Sequence, residues 1–225
     1  MKKSFIFTIS NLNNKKQNEN LYVVIAMPQE IPKDFYAKSL LLYELISNAQ
    51  YQYPHARVFI LPESVFPFYE KDKHDFLAKR LSNYCHHNSY ILFGAYSSSD
   101  NMRFNSCMCI YQGKVIYQYN KQFLVPFFEY IPSMLGDMLF SINGVDFSFG
   151  SNNQEELWNL SPYGSVKPMM CAELFWLNIP MHSVVVGFIN DRYFRYAYFP
   201  KIMRLYGDYK ASVYKSKIYY SSYVE

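Results

Sequence analysis

Three short stretches of the chain carry side chains that could act together. Glu63 follows Pro62 at the close of an apolar run. Lys121 opens the string Lys121-Gln122-Phe123-Leu124-Val125-Pro126-Phe127-Phe128-Glu129-Tyr130-Ile131-Pro132, and Cys171 sits inside Met169-Met170-Cys171-Ala172-Glu173. A carboxylate, an ammonium and a thiol are what amide-type acyl transfer through a thioester requires. Taken singly, each has a plainer reading. Pro-Glu after a strand makes an ordinary turn, a lysine at a strand end is a solvated marker, and a lone cysteine on an apolar strand is core filler.

The elements that must position these residues follow from periodicity. Residues 21–27 form a short apolar run that suits a buried strand, and 34–50 carry apolar side chains at helical spacing with Asp34 as N-cap. The pattern repeats with a strand at 57–61 and a helix at 73–87, so Glu63 falls at the carboxyl end of a buried strand, where α/β folds present functional groups. Strands at 90–96, 103–111 and 114–119 follow, the last two joined tightly by Gln112-Gly113, and Lys121 comes directly after them. Cys171 closes a strand at 166–171. A strand at 182–188, a helix at 198–209 and a strand at 212–220 complete the reading. Strands alternating with helices, interrupted by a hairpin, indicate an α/β layered protein. Residues 1–20, rich in Asn and Lys after a short apolar start, read as an N-terminal extension holding one strand and a polar linker, with the domain proper at 21–225.

In this order and spacing the three stretches resemble the nitrilase, or carbon-nitrogen hydrolase, superfamily. The Leu-Val-Pro-Phe-x-Glu-Tyr-x-Pro string is most similar to the catalytic domain of apolipoprotein N-acyltransferases and their conjugal-transfer relatives. The resemblance covers roughly residues 21–221 and implies a four-layer αββα sandwich. It also implies roles: Glu63 as general base, Lys121 as holder of the developing oxyanion, Cys171 as nucleophile and the Ala172 N–H as a second oxyanion donor. A free thiol with a pKa of about 8.5 is only a few per cent ionised at neutral pH, so a nearby Lys121 would favour the reactive thiolate by about 1.4 kcal/mol for each unit of depression.

Further matches are Glu129, a family glutamate that orients the lysine or assists the base, and Glu173, the acid of a Cys-x-Glu signature. Asn190-Asp191-x-x-Phe194 matches a segment beside the acyl pocket, although on its own it is a turn signal. The chain also departs from the family. Phe128 stands where the string has glycine and would narrow the pocket; Ala172 stands where a bulkier aromatic is common. Glu225 falls short of the superfamily's closing strands, so a sandwich lacking its last strands, with an open sheet edge, is expected.

Composition bounds the rest. A net charge of +4 with scattered lysines and arginines is a weak footprint for nucleic acid, which is not expected as a partner. Tyr and Phe number 23 and 19 against 8 glycines, which favours sheets and could leave an aromatic face that touches lipid or another chain. Cys85, Cys107, Cys109 and Cys171 lack zinc-site spacing; Cys107 and Cys109 share one strand face and read as core, and His86-His87 reads as a favourable charge at a helix C-terminus. No metal or organic cofactor is implied. With no stretch of about 20 apolar residues and no h-region, a soluble, cytoplasmic protein is expected, with peripheral membrane attachment as the alternative.

The expected substrate is a small-molecule or lipid acyl compound, and a homo-oligomer would cover an open edge. The function these features indicate is a Cys-dependent acyl-transfer enzyme. The alternative is a catalytically degenerate nitrilase-like interaction module of a membrane-associated, conjugal-transfer-type assembly.

Overall fold

The computed structural model describes residues 7–8, 22–28, 30–99, 102–125, 157–190, 198–221 and 223–224. Two strand–helix units open the domain. Strand β1 (Phe7–Thr8) pairs antiparallel with β2 (Tyr22–Ile25), and β3 (Met27–Pro28) follows. Helix α1 (Phe35–Gln52) starts at Asp34, whose carboxylate accepts the Ala37 N–H at 2.9 Å and so satisfies one of the donors every helix start leaves open. Next come β4 (Val58–Ile60), buried along its whole length, and α2 (Lys71–Leu81).

Strands β5 (Tyr90–Ser99), β6 (Met102–Tyr111) and β7 (Lys114–Asn120) form the expected meander. Gln112 and Gly113 both have positive φ, 47° and 77°, as a two-residue hairpin with the twist of its strands requires. The second half contains β8 (Trp158–Asn159), β9 (Ser165–Met170), the single-turn helix α3 (Glu173–Trp176), β10 (Val184–Phe188), α4 (Tyr198–Val213), β11 (Lys217–Ser221) and β12 (Tyr223–Val224).

The strands form a six-stranded sheet in the order β1-β2-β4-β5-β6-β7, a four-stranded sheet in the order β11-β10-β9-β8, and the parallel pair β12-β3. Three apolar clusters show how they stack. One lies between α1, α2 and the large sheet, with Leu42, Leu45, Leu77, Phe59 and Phe93. The second fills the space between the sheets, where Ile60, Leu92 and Cys109 face Trp158, Met170 and Phe188. The third packs Met169 and Val185 against Met203 and Ala211 of α4. The order is therefore helix, sheet, sheet, helix, the αββα sandwich that the resemblance implies.

Aromatic residues fill the middle layer, as their abundance predicts. Tyr22 stacks on Tyr219, and Tyr117 on Trp158, while the hydroxyls of Tyr22, Tyr90 and Tyr117 donate to the carbonyls of Tyr163, Ser161 and Asn159. Each ring buries apolar area and still finds a partner for its polar end. Cys107 and Cys109 lie in this layer as core, as read from the sequence.

Two helix C-termini differ markedly from the sequence reading. Helix α2 stops at Leu81 rather than at residue 87, because the Ser82 hydroxyl turns back to the Ala78 carbonyl and accepts the Gly113 N–H at 2.7 Å. His86 consequently does not cap α2; its ring contacts the Pro54 carbonyl at 2.8 Å and its N–H donates to Gln50 in α1. Helix α4 runs on to Val213, through residues whose composition favours a strand, because Met203 and Ala211 share one buried face. Tertiary packing outweighs local propensity there.

His74 in α2 is buried, with Nε2 2.7 Å from the Phe68 carbonyl and its ring beside Phe66. Burial lowers its pKa below the ordinary 6.5, against the opposing pull of the Phe68 carbonyl, Asp75 and Glu70. A folded chain that resists protonation where the unfolded chain accepts it loses stability as pH falls below that value. Urea-unfolding midpoints measured from pH 7.5 down to 5 should therefore fall, and His74→Gln should flatten the decline.

Candidate functional site

Glu63 reaches the end of the large sheet because the chain continues beside β5 after β4 ends. Leu61 N–H donates to Leu92 O at 2.8 Å, Gly94 N–H to Pro62 O at 2.9 Å, and Phe66 N–H to Gly94 O at 3.1 Å. A Cβ at Gly94 would lie 2.4 Å from Glu63 Cα and Ser64 N, so only glycine lets the two backbones approach this closely. Ser64 takes up a left-handed turn with φ 53°. From β12, the Tyr223 hydroxyl donates to the Glu63 carbonyl at 2.7 Å.

The Glu63 carboxylate is fixed by two further elements. Its Oε1 accepts a 2.8 Å hydrogen bond from Asn105 Nδ2 in β6 and lies 3.6 Å from Lys121 Nζ. Lys121 directly follows β7, and its N–H donates to the Asn105 carbonyl at 2.9 Å. Asn105 thus holds the carboxylate with its side chain and the lysine with its backbone. The side chains of Lys121 and Glu63 are 1% and 4% exposed. Charges this deep in the protein persist only when paired and hydrogen-bonded.

Cys171 stands at an elbow between β9 and α3. Its φ is 51°, a conformation that costs a non-glycine residue about 1–2 kcal/mol and must be held by its surroundings. Its N–H donates to the Phe188 carbonyl at 2.7 Å, extending the pairing of β9 with β10 by one step. A sharp strand-to-helix turn of this kind presents a side chain at the end of a sheet. Cys171 Sγ lies 3.9 Å from Met203 Sδ in α4.

Glu173 ties this elbow to the lysine. Its Oε2 accepts the Met170 N–H at 2.8 Å, while Oε1 accepts the Tyr119 hydroxyl at 2.9 Å, the Gln122 N–H at 2.5 Å and the Phe123 N–H at 3.3 Å. One carboxylate therefore bonds the residue before Cys171 and the residue after Lys121, across the gap between the sheets. Burial pushes its pKa above the usual carboxylate range, opposed by the Met170 and Gln122 N–H groups, by Lys121 and by the Tyr119 hydroxyl.

Of the residues singled out in the sequence, Glu63 and Lys121 are in direct contact, and Glu173 is bonded to the immediate neighbours of both Lys121 and Cys171. Ala172 is the N-cap position of α3. Asn190 lies two residues beyond Phe188, which pairs with Met170; it is buried, and its Oδ1 has no partner among the described residues. Phe128, Glu129, Asp191 and Phe194 lie outside the described residues. Sequence reasoning did not find Gly94, Asn105, Tyr119 or Tyr223. A lone glycine within an apolar strand was a usable signal for the first. The other three look like ordinary strand residues until their partners are known.

No family model and no curated protein matches the sequence. Solved structures match the fold. A glutamine-dependent NAD+ synthetase from Acinetobacter baumannii superposes with a TM-score of 0.63 at 16% identity, over 89% of this chain and 38% of that one. A carbon-nitrogen hydrolase from Helicobacter pylori gives 0.63 at 10% identity, over 92% and 74%, and the Saccharomyces cerevisiae nitrilase-superfamily member Nit3 gives 0.60 at 13%, over 89% and 75%. The fold is nitrilase-like. The chain spans well under half the length of the synthetase and about three quarters of the two smaller proteins, and at these identities the likeness is one of fold.

Two substitutions probe the scaffold of this site. Gly94→Ala drives a methyl group into the Glu63–Ser64 backbone and should lower stability by about 1–3 kcal/mol, the range for overpacking, in urea titration. Glu173→Gln turns an amide NH2 toward at least one buried N–H donor and should cost about 1–3 kcal/mol by the same assay. An unchanged unfolding midpoint for Glu173→Gln would mean that the carboxylate does not bind the two sheets together.

Proposed function

We propose that the chain is a thiol-dependent acyl-transfer enzyme of the carbon-nitrogen hydrolase superfamily. The observation that carries this reading is the buried Glu63–Lys121 pair, joined through the Glu173 carboxylate to the elbow that holds Cys171. In the proposed reaction Cys171 Sγ attacks the carbonyl carbon of an amide or ester, and Glu63 takes the thiol proton. Lys121 and the Ala172 N–H stabilise the oxyanion. Collapse expels the amine or alcohol, which takes the proton back from Glu63, and leaves a thioester. Water then completes hydrolysis, or an amine completes N-acyl transfer.

The likeness to a glutamine-dependent synthetase and to carbon-nitrogen hydrolases favours an amide substrate and hydrolysis. The Leu124-Val125-Pro126-Phe127 string favours N-acyl transfer in the manner of apolipoprotein N-acyltransferases. A second reading, a degenerate module in which the thiol no longer reacts, draws on the contact of Cys171 Sγ with Met203 Sδ and on the burial of Cys171, a residue only 4% exposed.

Alkylation separates the two. Cys85 is an internal standard, because burial pushes its thiol up to about 11 and leaves very little thiolate at neutral pH. Mass-spectrometric mapping after iodoacetamide treatment at pH 7 should show Cys171 modified at least about tenfold faster than Cys85, and Lys121→Ala should remove most of that advantage. Equal rates, unaffected by Glu63→Gln or Lys121→Ala, would leave the enzyme reading without its chemistry.

A further inference from the structure

Asn105 and Lys121 each have a chain neighbour on the opposite face of the large sheet, because successive side chains along a strand alternate. Ser106 follows Asn105, Asn120 precedes Lys121, and these two neighbours are direct Cα partners across β6 and β7. Asn120 Oδ1 accepts from the Ser106 hydroxyl at 2.8 Å and from Gln118 Nε2 at 3.0 Å, and lies 3.3 Å from Ser97 Oγ. Gln118 Nε2 also donates to Ser97 Oγ at 3.1 Å, and the two serine hydroxyls are 2.7 Å apart. With the Ser106 proton committed to Asn120, Ser97 donates to Ser106, and the chain of donors closes on the Asn120 carbonyl oxygen. Ser97 belongs to β5, Ser106 to β6, and Gln118 and Asn120 to β7, so one network ties the ends of three strands.

Elsewhere this face is apolar. Phe93, Ala95, Met108 and Ile110 pack with α1 and α2, whereas Ser97 and Ser106 are hydroxyls only 4% and 0% exposed. A buried hydroxyl network adds little net stability over an apolar filling, so what it contributes is direction. Hydrogen bonds weaken steeply with distance and angle, where apolar contacts allow sliding. The groups that this direction serves lie one residue away on the other face. Asn105 Nδ2 holds Glu63 Oε1 at 2.8 Å, Lys121 Nζ lies 3.6 Å from the same oxygen, and the Lys121 N–H bonds the Asn105 carbonyl. Strand β7 ends at Asn120, so the side chain that anchors this residue governs where Lys121 leaves the sheet.

We propose that Asn120, oriented by Ser97, Ser106 and Gln118, is a positioning residue that sets where Lys121 places its ammonium beside Glu63. Its consequence for the thiol rests on the acyl-transfer reading; its effect on the Glu63–Lys121 pair does not. The test reads both on the full chain, through the carbon-13 NMR signal of the Glu63 carboxyl, assigned by its loss in Glu63→Gln, and through the rate of Cys171 alkylation by iodoacetamide at pH 7. Asn120→Ala should displace the Glu63 signal and slow Cys171 by about threefold or more. Gln118→Ala, at an exposed position, should act in the same direction by less, and it decides the test if Asn120→Ala does not fold. Val115→Ala, which thins the apolar packing of the same strand, should lower the urea-unfolding midpoint and leave both readouts in place. A Glu63 signal unmoved by Asn120→Ala, or moved as far by Val115→Ala, overturns the proposal. A Glu63 signal displaced by Asn120→Ala and not by Val115→Ala, with Cys171 of the unsubstituted chain no faster than Cys85, upholds the positioning role and overturns the acyl-transfer reading instead.

Discussion

A carboxylate and an ammonium held 3.6 Å apart in the buried interior set the terms for everything around them. Neither could be buried alone, and removing one partner of such a pair typically costs about 3–5 kcal/mol because the other is stranded. Their strands are not neighbours. In the large sheet β5 and β6 stand between β4 and β7, which are therefore about 14 Å apart at roughly 4.8 Å per strand. The pair can form only because the chain after β4 shifts sideways onto β5, which Gly94 permits, and because Asn105 bridges from β6 to both groups. The close approach at Gly94 and the left-handed turn at Ser64 are the conformational cost of bringing two distant strand ends to one point.

Glu173 makes the corresponding connection between the sheets. Four donors converge on one carboxylate, two of them backbone groups of the segment after β7 and one a backbone group at the end of β9. Apolar packing between the sheets is non-directional and would tolerate sliding by fractions of an ångström. A carboxylate bonded on both sides fixes the relative position. That distinction matters for any chemistry at Cys171, since a misplacement of about 1 Å can cost a hundredfold in rate. Under the proposed reaction the electrostatic balance also constrains the proton. Lys121 already pairs with Glu63 and acts through space on Glu173, so a thiolate at Cys171 would add a further negative charge. A proton kept on Glu63 within the cluster keeps that charge from accumulating.

The alternation of apolar runs with amphipathic stretches made the strand–helix units and the hairpin legible, because burial on one or both faces leaves its period in the sequence. Asp34 and the Gln112-Gly113 turn were readable for the same reason: each satisfies a local rule with local residues. Helix ends were less legible. Ser82 ends α2 through a contact with Gly113 thirty-one residues away, and α4 is prolonged by what Ala211 meets in the small sheet. At the site, Glu63, Lys121, Cys171 and Glu173 stood out through the strings around them. Asn105, Tyr119 and Tyr223 did not, because an asparagine or a tyrosine on a strand acquires its meaning only from a partner placed there by the fold.

Helix α4 joins the two parts of the molecule that these contacts leave separate. Toward the interior it presents Met203 to the Cys171 thiol; toward the outside, two and six residues later, it presents Leu205 and Tyr209. Its position is set partly by Lys210, whose ammonium holds two carbonyls at the end of α3, the helix that begins with Glu173. Burial lowers the Lys210 pKa, and the two carbonyls it bonds offset part of that desolvation. Helix α4 thus touches the thiol on one side and reaches the surface on the other, and the same short turn that anchors it carries the carboxylate on which the two sheets are registered.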